Sequence, residues 1–140
     1  MKEPIMPFNL DIAIQHLQTH AVPPYGAGRC ATHVREALEA GGLTIPRSGS
    51  GAAKDYGPRL IAAGFIAGPD RMPYRKGDIA LIDGFSKNPE KGIERDYPHG
   101  HLAMFDGTQW ISDFRQIGLK PYPGSNYVKA APLIRIYRLP

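Results

Sequence analysis

The spacing of apolar residues changes partway along this 140-residue chain, and that change restricts the fold more than any other sequence feature. Near the start, apolar residues recur at the three- and four-residue intervals of a helix: Leu10, Ala13, Ile14 and Leu17. From residue 74 onward they come in short runs that are typical of strands. Helices followed by strands predict an α+β fold, with N-terminal helices packed on a small antiparallel sheet.

Two helices are predicted over residues 9–20 and 30–41, and a broken helix over 52–63, in which Pro58 is able to start the second part. Asn9 is a favourable N-cap for the first helix, and Gly41 with Gly42 forms a natural end of the second. Four strands follow, over residues 79–82, 102–105, 109–114 and 133–138. Asp106-Gly107 is a strong hairpin signal, so the second and third strands are expected to pair antiparallel.

The length and the single cysteine exclude several classes of protein. A mass of 15.4 kDa suits one domain spanning residues 1–140. One cysteine, Cys30, leaves no internal disulfide and no cysteine-rich zinc site. The first seven residues contain an acid and two prolines, and no apolar run approaches the roughly 18–20 residues of a membrane span. We therefore expect synthesis in the cytoplasm without a signal peptide, and no membrane span.

The chain is basic, with a formal charge of +4 and a sequence pI of about 9.3. This charge favours an anionic partner and would suit a polyanionic cell wall, although solubility alone explains it equally well. The basic residues are scattered and no stacking-aromatic motif accompanies them. A nucleic-acid partner is therefore not expected.

Cys30 stands where a glycine-bearing loop turns into the second helix. A helix N-terminus carries partial positive charge, which is expected to lower the pKa of the thiol and favour the nucleophilic thiolate. The backbone N–H of Cys30 is also suited to form half of an oxyanion hole. The alternative is a free cysteine that serves as a small buried hydrophobe.

A catalytic thiol needs a general base, and histidine is the usual one. Of the five histidines, three lie on or beside predicted helices and are interpreted as surface or helix-face residues: His16, His20 and His33. His101 opens a strand, which favours accurate placement and makes it the predicted base. His99 lies two residues earlier on the same side of an extended chain, where loop surface or a substrate contact is predicted.

The base needs an acceptor that orients the imidazole, as in nucleophile–histidine–carboxylate triads. Counted outward from the hairpin turn, Asp113 falls roughly opposite His101 and is the predicted third residue. A zinc site is the alternative for this region, with ligands drawn from Asp96, His99, His101 and Asp113. The His-Gly-His segment lacks the helical spacing of a His-Glu-x-x-His site, so neither a metal nor another cofactor is expected.

Four segments occur in an order that is similar to that of a known family: residues 25–34 around the cysteine, 76–81, 100–104 and 110–114. This order resembles the NlpC-type and CHAP peptidoglycan hydrolases, which are papain-like cysteine peptidases of the cell wall. The resemblance runs from about residue 25 to the C-terminus. The segment 43–49 and the small size look most similar to the amidase effectors of type VI secretion. One departure is Arg29-Cys30-Ala31, where many NlpC-type members carry Asp-Cys-Ser.

The resemblance implies a papain-like fold and the hydrolysis of amide bonds in peptidoglycan stem peptides, by an amidase or endopeptidase without a cofactor. Cys30 would be the nucleophile, His101 the base and Asp113 the third residue, while Tyr25 would border the oxyanion site. The resemblance also implies an antibacterial effector that is delivered to the periplasm or cell wall of a target cell, with a cognate immunity protein as partner. A cysteine protease or acyltransferase acting on a protein, and a non-catalytic wall-binding domain, are the alternatives.

Overall fold

The computed structural model describes residues 7–21, 29–46 and 51–140. The helices of these parts are α1 (Leu10–Thr19), α2 (Cys30–Ala40), α3 (Gly57–Ala62) and α4 (Ser125–Ala130). The strands are β1 (Ile66–Pro69), β2 (Ile79–Ile82), β3 (His101–Phe105), β4 (Trp110–Ile111) and β5 (Ile134–Arg138). Short 3-10 turns lie at Ala53–Asp55 and Pro89–Lys91. None of the helices in these parts has the length and apolarity of a membrane-spanning segment.

In the described part of the chain, the five strands form an antiparallel sheet in the order β1-β5-β2-β3-β4. β2 lies in the middle, and all four of its residues are buried. It pairs with β3 so that Ile82 lies opposite His101, the first residue of β3. The helices and this sheet confirm the predicted α+β layout. The papain-like assignment and the extent of the domain stay predictions.

Helices α1 and α2 begin where the sequence predicts. Asn9 Oδ1 accepts the Ile12 N–H at 3.1 Å, which is the contact of an N-cap. The two helices bury their apolar stripes in one core: Ala13, Ile14 and Leu17 from α1, and Val34, Ala37 and Leu38 from α2. Each fully buried Leu, Ile or Val side chain contributes roughly 1.5–3 kcal/mol. Because α2 also packs on β3, the first residue of α2 and the first residues of β3 come together.

An ion pair between a buried carboxylate and a half-buried guanidinium joins the central strand to the C-terminal strand. Asp78, immediately before β2, is fully buried and accepts both Arg138 Nε and an Arg138 terminal nitrogen at 2.7 Å. The Arg75 N–H donates to the same carboxylate at 2.8 Å. A two-point contact between guanidinium and carboxylate adds geometric specificity to its energy. The pair therefore helps to hold β2 and β5 in register.

The third predicted strand is shorter than expected. β4 ends at Ile111 because the chain turns back directly after it. Ser112 N–H donates to the Phe114 carbonyl at 3.0 Å, and Gln116 N–H donates to the Trp110 carbonyl at 2.9 Å. Residues 112–115 thus form a tight loop that returns Gln116 to the side of β4. The antiparallel pairing of β3 with β4 that the Asp106-Gly107 turn predicts is confirmed.

Two elements, β1 and α4, are not predicted from the sequence. β1 is an edge strand whose residues are mostly exposed, so it carries no buried alternation. α4 has six residues and buries one of them, Tyr127, which is too little for a helical period to emerge. Tertiary contacts rather than local patterns stabilise both elements.

Candidate active site

Cys30 is the first residue of α2 and its side chain is half-buried. The preceding residue, Arg29, occupies the N-cap position but its side chain forms no capping hydrogen bond. The Arg29 N–H instead donates to Asp113 Oδ2 at 2.9 Å, across 84 residues of sequence. The start of the helix is therefore held by a carboxylate from the loop after β4, and not by a local cap.

His101 lies at the start of β3, and the backbone before it is tightly confined. Gly100 has a φ of +68°, and a Cβ there would overlap the Ile82 carbonyl oxygen. Only glycine fits this combination of a left-handed conformation and a close backbone approach. One residue earlier, the His99 carbonyl accepts the Lys54 N–H at 2.9 Å. These contacts fix the path by which the chain enters β3.

The imidazole of His101 is buried and held by Gln116. Its Nε2 lies 2.6 Å from Gln116 Oε1, and Gln116 Nε2 donates to the Pro121 carbonyl at 2.7 Å. Because the amide nitrogen donates to a carbonyl, the amide oxygen faces the imidazole and accepts a hydrogen bond from the Nε2–H group. The hydrogen-bond network therefore assigns the tautomer with the proton on Nε2 and the lone pair on Nδ1.

Gln116 is a functional candidate that sequence reasoning missed. It lies beyond the predicted end of the strand, where a polar residue near glycine and lysine reads as ordinary loop. The tight loop at 112–115, which the hairpin prediction did not include, returns Gln116 toward the sheet. What identifies Gln116 is its buried side chain, which bonds to the His101 imidazole and to the Pro121 carbonyl. Only the tertiary structure shows these contacts.

Burial keeps the thiol of Cys30 and the imidazole of His101 neutral. The pKa of His101 is lowered to about 4, chiefly by burial, while the Gln116 hydrogen bond and the charge of Asp113 act in the opposite direction. The pKa of the Cys30 thiol is raised, chiefly by burial and further by the Asp113 charge, although backbone hydrogen bonds from Leu102, Ala31 and Cys30 oppose this. The sequence prediction of a lowered thiol pKa is therefore wrong, because desolvation outweighs the helix N-terminus.

One cleft of about 1000 Å³ contains most of the predicted site residues. Cys30, His99, His101 and Asp113 all line it. Residues 95–98 and the start of α4 form another part of its wall, which includes Tyr127. Tyr25, predicted to border the oxyanion site, lies outside the described residues. Four of the residues that the sequence predicts for the site therefore line one cleft, although they are spread from position 30 to position 113.

Two other predicted site residues, His99 and Asp113, have different surroundings. His99 is exposed at the rim of the cleft, and its role as a substrate contact stays a prediction. Asp113 is buried and close enough for its charge to act on both Cys30 and His101. Its carboxylate binds the Arg29 N–H, while Gln116 occupies His101 Nε2. The role of Asp113 as third catalytic residue stays a prediction. Within residues 7–21, 29–46 and 51–140, no three His, Cys, Asp or Glu side chains are grouped to hold a metal ion.

Comparison with known proteins gives a consistent set of relatives among solved structures. No protein-family model and no curated protein matches the chain. The native type VI effector–immunity complex Tae3–Tai3 from Ralstonia pickettii matches at 36% identity and a TM-score of 0.74, over 95% of this chain and 100% of that chain. The selenomethionine form of that complex matches at 39% identity and a TM-score of 0.72, over 90% and 98% of the two chains. At this identity and coverage, the chain belongs to the Tae3 family of type VI effectors.

Proposed function

We propose that this protein is a peptidoglycan amidase that hydrolyses amide bonds in cell-wall stem peptides, with Cys30 as nucleophile and His101 as general base. One observation carries the proposal. Cys30 at a helix start and the buried, oriented imidazole of His101 line the same cleft. The similarity to type VI effectors supports a target in a competing cell.

The reaction begins with a neutral pair. Because Gln116 occupies Nε2, the Nδ1 lone pair of His101 accepts the thiol proton as Sγ of Cys30 attacks the carbonyl carbon. Burial disfavours a resting ion pair, so proton transfer accompanies the attack and does not precede it. The imidazolium then gives its proton to the leaving amine, and the C–N bond breaks to leave a thioester on Cys30. Water, deprotonated by His101, hydrolyses the thioester and restores the thiol.

Backbone donors at the start of α2 stabilise the oxyanion. The first N–H groups of a helix have no partner within the helix. The N–H groups of Cys30 and Ala31 both act on the Cys30 sulfur and oppose the rise of its pKa, which means that they point toward the reacting atom. The same donors are suited to the negative oxygen of the tetrahedral intermediate. Tyr25 remains our candidate for bordering this site.

Asp113 and Gln116 share the tasks of the third residue in a triad. Gln116 orients the imidazole and sets its tautomer. Asp113 contributes charge, because its carboxylate raises the pKa of His101 and so favours the imidazolium that forms during attack. Its bond to the Arg29 N–H also keeps the nucleophile helix against the loop after β4.

We further propose that the protein acts in the periplasm or cell wall of a target cell and is countered by a cognate immunity protein. The relatives support this, because both were crystallised as effector–immunity complexes. Peptidoglycan would be the substrate, and a basic protein suits an anionic wall.

The test is digestion of purified sacculi with the wild-type protein, followed by mass spectrometry of the released muropeptides. We expect cleaved stem peptides from the wild type and none from Cys30→Ala or His101→Gln. His33→Gln, a change of the same kind at a residue of α2 that does not line the cleft, serves as the matched control and should remain active. Undiminished release by a folded Cys30→Ala variant would refute the proposal, because the chain has no other cysteine. Thiol-dependent cleavage of a protein with sacculi left intact would favour the protease alternative.

A further inference from the structure

Three consecutive residues at the entry to β3 are each tied to a different segment of the chain. The His99 carbonyl accepts the Lys54 N–H at 2.9 Å. The Gly100 carbonyl accepts the Tyr127 hydroxyl at 3.2 Å. The His101 imidazole is held by Gln116 at 2.6 Å. The proposed base thus sits at the end of a segment that is fixed at every residue, and Tyr127 supplies the middle fixing point.

Tyr127 also contacts the imidazole itself. The centroid of its ring lies 5.8 Å from that of His101, with the planes inclined by 59°. Phe85 and Tyr97 pack on the other sides of the phenol at centroid distances of 4.8 and 5.1 Å. Aromatic contacts of this kind stabilise by about 0.5–1.5 kcal/mol each beyond the area they bury. The phenol is therefore held in place and acts as a rigid support for His101.

The helix that carries Tyr127 has little other contact with the core. Among the six residues of α4, Tyr127 is the buried one. Burial raises the pKa of the phenol, so at neutral pH the hydroxyl stays protonated and remains a hydrogen-bond donor toward Gly100. The helix is anchored in the wall of the cleft by the same side chain that supports the base.

We infer that Tyr127 is a positioning residue for His101, whose hydroxyl fixes the Gly100 carbonyl and whose ring supports the imidazole, so that Nδ1 faces Cys30. This inference rests on the proposed function, since it assigns Tyr127 a role in the same reaction. Tyr127 does not transfer a proton in that reaction; it acts by holding His101 in position. Its loss should therefore lower kcat and leave KM unchanged.

The experiment compares Tyr127→Phe with Tyr122→Phe. Each substitution removes one phenol hydroxyl that donates to a backbone carbonyl, Gly100 in the first case and Pro132 in the second. Tyr122 lies outside the cleft, so it controls for the general cost of losing such a hydrogen bond. We expect a kcat about 3- to 10-fold lower in Tyr127→Phe, as for one neutral hydrogen bond, and an unchanged kcat in Tyr122→Phe.

A second measurement needs no substrate. Nitrogen-15 NMR of the histidine side chains should show His101 as a single tautomer with its proton on Nε2 in the wild type and in Tyr122→Phe. In Tyr127→Phe the His101 signals should shift and broaden, because the segment that carries the imidazole is held less firmly. Unchanged signals together with an unchanged kcat, or losses of activity in both variants that follow their melting temperatures, would overturn the inference. If no protein digests sacculi, the proposed function fails, and the NMR comparison alone decides the role of Tyr127.

Discussion

Gln116 decides which nitrogen of His101 is available to accept a proton. A carboxylate at this position would orient the imidazole and stabilise its positive form by its charge, whereas the neutral amide orients it and raises its pKa only through a hydrogen bond. In this protein the charge comes from Asp113, which acts on His101 through space and lies in the same loop. Orientation and charge are thus supplied by two residues three positions apart.

We expect Gln116→Leu to lower kcat about 10- to 100-fold with little change in KM, because a misplaced or inverted imidazole cannot take the thiol proton. Gln116→Glu restores an acceptor at Nε2 and adds negative charge, so it should recover part of the activity. The added charge should also move the acidic limb of the pH–rate profile upward, because it raises the pKa of His101. The measurement is kcat/KM against pH for both variants. Equal activity of Gln116→Leu and wild type would show that Gln116 has no part in orienting the base.

At the scale of elements, the loop after β4 connects the two halves of the site. Within residues 112–116 it supplies Asp113 to the start of α2 and Gln116 to the start of β3. The proposed nucleophile and the proposed base therefore lie on different elements but share one supporting loop. The sequence predicts both elements, since it places the second helix between Cys30 and Gly41 and the hairpin that contains β3 at the Asp106-Gly107 turn. It does not predict the tight loop, because a strand pattern continued to residue 114 is locally just as reasonable.

Asp113→Asn is expected to keep an acceptor for the Arg29 N–H while removing the negative charge. Since that charge raises the pKa of Cys30, the pKa of the thiol should fall in this variant. Alkylation of Cys30 by iodoacetamide, followed by mass spectrometry across a pH series, should therefore rise at lower pH than in the wild type. Asp113→Ala also loses the helix cap, and its free energy of unfolding should fall by about 1 kcal/mol more than that of the Asn variant. An unchanged alkylation profile in Asp113→Asn would exclude an electrostatic role for the carboxylate.

At the scale of the whole molecule, the core makes the site neutral at rest. Helix α2 packs on β3, and this packing buries the imidazole of His101 and half-buries the side chain of Cys30. Desolvation outweighs the helix N-terminus at Cys30 and the carboxylate at His101, so thiol and imidazole remain uncharged. The same burial makes folding depend on pH.

The pKa of His101 is about 4 in the folded protein and 6.5 for an exposed histidine. Below pH 6.5 the unfolded chain binds a proton that the folded protein does not, so stability is full above this pH and is lost as the pH falls toward 4. We expect the free energy of unfolding to drop by about 2 kcal/mol between pH 7 and pH 5 from this residue. Urea unfolding at the two pH values measures it. In His101→Gln the free energy of unfolding should drop by about 2 kcal/mol less than in the wild type. Equal drops in the two proteins would show that His101 is not the source of this pH dependence. His16, whose pKa is also lowered by burial, is present in both and cancels in the comparison.

The sequence alone determined the helix and strand periods, the cap at Asn9 and the hairpin turn, because each depends on residues that are near one another in the chain. It also determined Cys30 and His101 as candidates, because each stands at the start of a predicted element. Tertiary structure decided what surrounds that pair. Gln116, Tyr127 and the direction of the thiol pKa follow from which segments meet in the cleft and how much water they exclude. Burial and hydrogen bonds across 15 to 84 residues of sequence leave no local pattern, so no reading of the chain by itself would supply them.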